Sequence, residues 1–246
     1  MKLRHLFWIV FVLAGALSMI GLGIWQLGRL QERRVLNATI ASRVNQPPIT
    51  LHGDLLEVQD MEYRPVVASG TFDFSQEIVL RNRALNGVAG YHVLTPLRIE
   101  ASQNAVLVDR GWIPYEAASP ELRAVYAGPT GPVTVRGLIR MSQARPSGLA
   151  PADPALGPDR PRLDAWFWTD VSQIQAQVPY PLLPFYLEQD PGPDPRALPA
   201  PVHDIDLSEG PHLSYAVQWF SFAIILVVGS IALAMRTTRA NRGGET

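Results

Sequence analysis

The side chains best suited to acid–base or metal chemistry in this sequence are five histidines, and there is no cysteine. The histidines are scattered singly, at His5, His52, His92, His203 and His212. The lack of cysteine excludes disulfides, thiolate metal sites and thiol nucleophiles. The sequence also lacks the phosphate-binding glycine loop, the His-Glu-x-x-His zinc motif and the Gly-x-Ser-x-Gly elbow. These absences predict a protein that is not an enzyme.

His212 differs from the other histidines in its position. The preceding Gly210 and Pro211 favour a helix that begins at this point. The positive end of a helix dipole disfavours the imidazolium cation, and a neutral ring can bind a metal ion or a haem iron. Tyr215 and Trp219 follow on roughly the same helical face. The three side chains would also suit an interfacial aromatic belt, and this alternative stays open.

Charged side chains at two further places are candidates for ligand binding. Arg29 and Arg33 stand one helical turn apart, directly after an apolar run. They could clamp a carboxylate or phosphate near a membrane, with lipid head groups as the alternative ligand. Asp109 and Arg110, in a β-rich segment, could pair with each other or meet an anionic group. An enzymatic role would require these two residues and His92 to converge on a cleft.

Two uncharged apolar runs frame the chain, at residues 6–28 and 212–235. At about 1.5 Å per residue, each can cross the roughly 30 Å hydrocarbon core of a bilayer as a helix. The sequence therefore predicts two transmembrane helices, with 1–5 and 236–246 as tails and 29–211 as one extramembrane domain. A cleaved signal peptide is the competing interpretation of the N-terminus, but the first apolar run is longer than a usual signal core.

The charges that flank the two spans predict the orientation of the chain. Basic residues in both tails favour a cytoplasmic location for both termini, and the other flank of the second span carries Asp204, Asp206 and Glu209. We therefore predict a multi-pass inner-membrane protein whose central domain lies in the periplasm. The net charge of −1 predicts no nucleic-acid partner. The two apolar spans predict that the chain contacts the lipid bilayer.

The central domain is predicted to be α+β and mainly antiparallel β-structure. Residues 27–44 continue the first helix until Pro47 and Pro48 stop it. Segments rich in Val, Ile and aromatic residues predict strands over 63–74, 77–82, 91–99, 105–114, 132–141 and 182–189. Asn86-Gly87 predicts a turn, residues 145–161 an exposed loop, and residues 164–178 a helix.

Five segments carry a family resemblance. They are Leu22-Gly-Ile-Trp-Gln-Leu-Gly-Arg29, Tyr63-Arg-Pro-Val-Val-Ala-Ser-Gly70, Gly90-Tyr-His-Val-Leu-Thr-Pro96, Val106-Leu-Val-Asp-Arg-Gly-Trp-Ile-Pro114 and His212-Leu-Ser-Tyr-Ala-Val-Gln-Trp-Phe220. In this order, and framed by two terminal spans, they resemble the Surfeit locus protein 1 family of cytochrome c oxidase assembly proteins. The resemblance covers nearly the whole chain, and its last two segments are the most specific.

The resemblance implies a chaperone in the biogenesis of the respiratory chain. Its task would be to help insert haem a into subunit I of cytochrome c oxidase, in contact with the haem a synthesis machinery. The implied axial ligand of the transiently bound haem iron is His212, and the family's tryptophans beside the spans match Trp25 and Trp219. Arg29 and Arg33 lie at a suitable depth for the haem propionates. The alternative is a protein-binding assembly chaperone that does not itself bind haem.

The chain departs from the family pattern at two places. Asp109 stands where the family has Asn, and Gly210-Pro211 replaces a pair of asparagines before His212. The second change is expected to alter hydrogen bonding around the histidine without removing it.

Overall fold

Residues 2–53, 60–194, 196–203 and 205–243 are described by a computed structural model, and they form two compact units. The first unit contains both ends of the chain, Met1–Thr39 and Asp206–Thr246, and the second contains Ile40–Ile205. Asp204, which contributes to the predicted orientation, lies outside the described residues, as do residues 244–246 of the predicted C-terminal tail. The candidate site at His212 therefore belongs to the first unit.

The helices and strands follow the predicted order along most of the chain. The helices are α1 (Lys2–Val44), α2 (Pro120–Arg123), α3 (Val171–Gln175) and α4 (His212–Gly243). The strands are β1 (Ile49–Leu51), β2 (Pro65–Phe72), β3 (Ile78–Leu85), β4 (Val88–Ile99), β5 (Ala105–Pro114), β6 (Val133–Met141), β7 (Ala165–Trp166) and β8 (Leu182–Gln189). The six predicted strands are confirmed as β2 to β6 and β8. The turn between β3 and β4 is confirmed by positive φ at Asn86 and Gly87.

The two long helices of the first unit approach each other closely at small residues. A Cβ atom added to Gly23 of α1 would lie 2.6 Å from Cε1 of Phe220 on α4. One added to Gly15 would lie 3.1 Å from Cδ2 of Leu226. Small residues that let helix backbones come close are typical of helix pairs in membranes, where the surrounding lipid removes the hydrophobic driving force between helices.

Both long helices are apolar enough to cross a membrane, over His5–Val44 and His212–Thr237. In the most apolar stretch of each helix, only 11% is buried. A core helix of a soluble protein would bury most of that surface, so this pattern supports membrane association. The fold of two terminal apolar helices flanking a β-rich domain is thus confirmed, and the boundaries 6–28 and 212–235 stay predictions.

Five strands of the second unit form a closed ring. Their pairings run β2–β6, β6–β8, β8–β5, β5–β4 and β4–β2, and all of them except β5–β8 are antiparallel. The pairing of Gly70 with Ile99 begins the contact that closes the ring. β3 and β7 extend the sheet beyond β4, and β1 adds to β2 in parallel. Closure leaves few free strand edges on which another chain could pair.

Among the described residues, the buried apolar side chains of the sheet form three clusters, and the two largest lie on opposite faces of the strands. The first includes Val66, Leu97, Val108, Ile139 and Leu187, which alternate along β2, β4, β5, β6 and β8. The second is built from Leu80, Leu94, Leu107 and Tyr186 on the other face, and is covered by Trp166, Val171 and Ile174. Because successive residues of a strand face opposite sides, β4, β5 and β8 contribute to both of these clusters, whereas, of the two, β2 and β6 contribute only to the first and β3 only to the second.

The predicted helix over 164–178 is wrong for most of its length. Residues 165–166 form the short strand β7, which pairs with β3, and Trp166 is 1% exposed. Helix α3 occupies only Val171–Gln175, because Asp170 caps its N-terminus by accepting from the backbone N–H groups of Ser172 and Gln173. Of the apolar residues whose spacing predicts the longer helix, only Val171 and Ile174 lie in α3, and Trp168 and Val178 lie outside it.

Glu77 is a buried carboxylate that holds three polar groups of the second unit together. It accepts hydrogen bonds from Thr95 Oγ1 at 2.7 Å and from Arg110 Nη1 at 3.1 Å. Arg123 Nε lies 3.4 Å from its other oxygen. Burial lowers the pKa of the Arg110 guanidinium, although the neighbouring Glu77 carboxylate opposes this effect. Arg110 therefore has a structural partner, and it does not pair with Asp109.

A substitution at Gly111 of β5 tests how closely the chain packs beside this network. We expect Gly111→Ala to lower the free energy of unfolding by roughly 3 kcal/mol or more, because residue 111 has a φ of +112° and its new Cβ would collide with the carbonyl oxygen of Ala200. Thermal unfolding of the detergent-solubilised chain, followed by tryptophan fluorescence, measures the loss. Gly131→Ala is the control, since no atom lies within 4 Å of its added Cβ. Equal stability of the two variants would contradict this account.

Candidate functional site

His212 opens α4, as the sequence predicts. The carbonyl oxygen of Pro211 accepts from the backbone N–H of Tyr215 at 3.1 Å and from Ser214 Oγ at 2.7 Å. These hydrogen bonds form the first turn of α4 and so fix the position of the imidazole there. The ring is half-buried.

Gln26 of α1 is the hydrogen-bond partner of the His212 ring. Its Oε1 lies 2.8 Å from Nδ1 of His212, although the two residues are 186 positions apart in the chain. Because an amide oxygen can only accept, Nδ1 carries the proton in this pair. In a neutral ring, Nε2 then keeps its lone pair for another ligand. The backbone beside Nε2 is Gly210, where an added Cβ would lie 3.6 Å from that nitrogen.

Sequence reasoning missed Gln26 as a site residue. A signal for it was nevertheless present, because it is a polar amide close to the end of an otherwise apolar run. In a membrane such a side chain hydrogen-bonds across to a neighbouring helix, and its lack of charge makes this cheaper than burying an ion.

The predicted aromatic residues divide into two groups. Trp219 is half-buried like His212, and its indole meets the Phe222 ring edge-to-face at 6.1 Å between centroids. Tyr215 is 46% exposed and Trp25 is 57% exposed. Trp219 and His212 therefore share the half-buried side of α4, whereas Tyr215 and Trp25 present amphipathic rings outward, as residues of an interfacial belt would.

The two predicted arginines form ion pairs with carboxylates of this chain. Arg29 pairs with Glu32 on the same helix, and Arg33 Nη2 lies 2.9 Å from Asp206 Oδ2. The pKa of Asp206 is lowered by hydrogen bonds from Ser208 and, to a smaller extent, by Arg33. Three of the four side chains in these two pairs are exposed, and Arg33 is half-buried. Exposed pairs of this kind contribute about 1 kcal/mol or less, so each guanidinium can exchange its partner.

A neighbouring ion pair joins the same two segments of the first unit. Arg34 donates from Nε at 2.8 Å and from Nη2 at 2.9 Å to the two carboxylate oxygens of Glu209. The hydrogen bond from Arg34 lowers the pKa of Glu209. Asn37 Nδ2 adds a hydrogen bond of 2.6 Å to the carbonyl oxygen of Leu207. The segment that leads into His212 is thus held along successive turns of α1.

The three residues whose convergence would indicate an enzyme do not all meet. His92 Nδ1 lies 2.8 Å from Asp109 Oδ2, and both side chains line one cavity of the second unit. Arg110 does not join them: the pairing of β5 with β4 shifts at this residue, and Glu77 binds its guanidinium. In the part of the chain that the structure describes, no three His, Asp or Glu side chains are arranged to hold a metal ion.

Comparison with known proteins identifies relatives over most of the chain. A model described as the SURF1 family matches residues 13–224. A SURF1-like protein of Monosiga brevicollis is 29% identical over 240 residues, which cover 92% of this chain and 84% of that protein. Surfeit locus protein 1 of Mus musculus is 30% identical over 178 residues, with 67% of this chain and 56% of the mouse protein covered. The human protein of that name is 28% identical, with coverage of 63% and 54%.

The Gln26–His212 hydrogen bond leads to a test that needs no ligand. We expect Gln26→Leu to shift the His212 ring from the tautomer protonated at Nδ1 toward the one protonated at Nε2. The loss of one hydrogen bond, worth about 1 kcal/mol, changes the tautomer ratio roughly fivefold. Chemical shifts of the ring nitrogens in histidine-labelled protein measure this ratio. Gln218→Leu, which alters an exposed glutamine of α4, is the control. Equal spectra for the two variants would rule out the assigned hydrogen bond.

Proposed function

The chain belongs to the SURF1 family, and from this membership we propose that it is an assembly factor for cytochrome c oxidase. The proposal draws on the match over residues 13–224 and on the two apolar helices that support membrane association. It agrees with the lack of any recognisable catalytic motif in the sequence. The partners that we propose are subunit I of the oxidase and the haem a synthesis machinery.

We further propose that the cargo is haem a, held by His212. The observation that carries this proposal is the hydrogen bond from Nδ1 of His212 to Gln26, which leaves Nε2 of a neutral ring as a ligand atom. An iron porphyrin takes up a neutral imidazole as an axial ligand. Trp219 beside His212, with Tyr215 and Trp25 further out, offers aromatic surface to a flat macrocycle.

In this proposal the two arginines bind the haem propionates. Arg29 and Arg33 follow Gln26 by three and seven residues, so all three lie along one side of α1. Their present carboxylate partners, Glu32 and Asp206, form exposed pairs of small net stability. A propionate can replace either carboxylate without leaving a buried charge unpaired. Weak, exchangeable contacts suit a carrier that must release its cargo.

A protein-binding chaperone that carries no haem is the second candidate. Its support is that the ion pairs of Arg29, Arg33 and Arg34 are complete without a ligand. Under this alternative, His212 would only fasten the start of α4 to α1 through Gln26. The two candidates differ in one measurable property, the haem content of the purified protein.

Replacement of His212 separates these candidates. We expect His212→Ala, expressed in full length beside a haem a synthesis pathway, to lose most of the bound haem while its yield stays unchanged. The haem-to-protein ratio, from the Soret band and from extracted haem, measures the effect. His52→Ala is the control, because His52 is an exposed histidine of the other unit. Full haem retention in His212→Ala would move the ligand elsewhere. No haem in the unaltered protein would favour the protein-binding chaperone.

The location that we propose is an inner membrane, with both termini on the cytoplasmic side and the β-rich domain in the periplasm. The chain contains no cysteine, so a single introduced thiol reports its side of the membrane cleanly. We expect Leu149→Cys, at a fully exposed loop position, to react with a membrane-impermeant maleimide in intact cells. Thr246→Cys should react only after the membrane is opened. The reverse pattern would overturn the orientation, and reaction of both in intact cells would overturn the second span.

A further inference from the structure

The β-rich unit contains a polar cavity that the proposed haem role does not use. Its volume is about 440 Å³, within the range of roughly 300–1,000 Å³ that is usual for small-molecule sites. Its polar lining includes His92, Asp109, Glu188, Arg140, Tyr186 and Arg83. Four neighbouring strands supply the first five of these side chains, so the site is built on the rigid part of the sheet.

The charges that line the cavity are arranged in pairs across adjacent strands. Arg140 Nη1 donates to Glu188 Oε1 at 2.7 Å, and Asp109 Oδ2 lies 2.8 Å from His92 Nδ1. Glu188 and Asp109 are direct neighbours in the parallel pairing of β8 with β5. Like charges placed opposite each other are destabilising, and here the arginine and the histidine flank the two carboxylates on either side.

Asp109 fixes the orientation of the His92 ring. The carboxylate also accepts from the backbone N–H of Gly111 at 2.9 Å, and it is 6% exposed. With the Nδ1 proton held by Asp109, Nε2 of a neutral His92 is left as a hydrogen-bond acceptor, and His92 lines the cavity.

A bulge in β3 brings a cation to the same cavity. The pairing of β3 with β4 shifts between Leu80 and Arg83, and Asn82 has a φ of +57°. Leu80 lies opposite His92 and Arg83 opposite Gly90, so the bulge puts Leu80 and Arg83 on one face of the sheet. Without it, an odd spacing of three residues would send Arg83 to the other face.

Arg83 is the charged group of the cavity that has no carboxylate partner among the residues that the structure describes. Among the described residues no ion pair includes it, and its Nη1 donates only a long bond of 3.4 Å to the carbonyl oxygen of Arg81. The register places it about 7 Å along the strand from His92. Burial raises the pKa of Tyr186, so this phenol also stays a donor at neutral pH.

We propose that this cavity binds a small organic acid that carries one carboxylate and, a few bonds away, one hydrogen-bond donor. The carboxylate pairs with Arg83, and the donor, a hydroxyl or amino group, meets Nε2 of His92. Three observations favour this ligand class. They are the unpaired guanidinium among the described residues, the acceptor nitrogen held in place by Asp109, and the backbone bulge that brings the two groups to one face.

Saturation-transfer NMR on the full-length chain in detergent tests the site with lactate as the probe. We expect saturable lactate binding that is about tenfold tighter than binding of acetate, which lacks the hydroxyl, or of 1,2-propanediol, which lacks the charge. Arg83→Gln should weaken lactate binding about tenfold. Arg81→Gln is the matched control, because Arg81 lies on the same strand and stacks on Phe167, but does not line the polar cavity as Arg83 does.

Two results would overturn the proposal. One is the absence of saturable lactate binding, or equal binding of propanediol, in the unaltered protein, a comparison that depends on no variant. The other is an equal loss in Arg83→Gln and Arg81→Gln, which would indicate a general charge effect. His92→Gln should remove the advantage of lactate over acetate and leave acetate binding unchanged. None of these measurements involves haem, so their outcome is independent of the His212 experiment.

Discussion

The alternation of side chains along the strands of a closed ring is the constraint on which the β-rich unit depends. Once β2 pairs with β4, one face of five strands is sealed and filled with apolar side chains. Every polar residue of those strands must then find its partners on the other face or at the ends. Asp109 and Arg110 are consecutive, yet they have different partners at the point where the pairing of β5 with β4 shifts. The carboxylate orients His92 in a cavity, and the guanidinium joins the Glu77 network.

The buried guanidinium of Arg110 is tolerated because it has several partners. Arg110 donates to Glu77 and to the carbonyl oxygen of Tyr126, and its guanidinium also lies over the rings of Phe72 and Phe74. Burial of an ion costs several kcal/mol, and such a combination of contacts offsets much of that cost. Arg83 contrasts with Arg110, since it is half-buried and lines a cavity. This contrast separates a structural arginine from one that is suited to a ligand.

In the first unit the same problem of unpaired polar groups is solved by helix pairing. Small residues such as Gly23 allow α1 and α4 to approach, and Gln26 then reaches the His212 ring. Just beyond the apolar runs, Arg33 and Arg34 meet Asp206 and Glu209, which precede α4. The imidazole thus lies between an apolar helix pair and a set of exposed ion pairs. This boundary is the position that the proposed cargo, with one apolar and one anionic end, would require.

Sequence alone determined the features that depend on local pattern. The two apolar runs, six strands, the Asn86-Gly87 turn and the helix start at His212 all follow from composition, periodicity or capping over a few residues. The five segments that carry the family resemblance also predicted the family. Tertiary structure decided what depends on long-range pairing: the ring closure, the replacement of a predicted helix at 164–178 by β7 and α3, and the partners Gln26 and Asp109. No local pattern specifies a partner 186 residues away, because that contact exists only once both helices have packed.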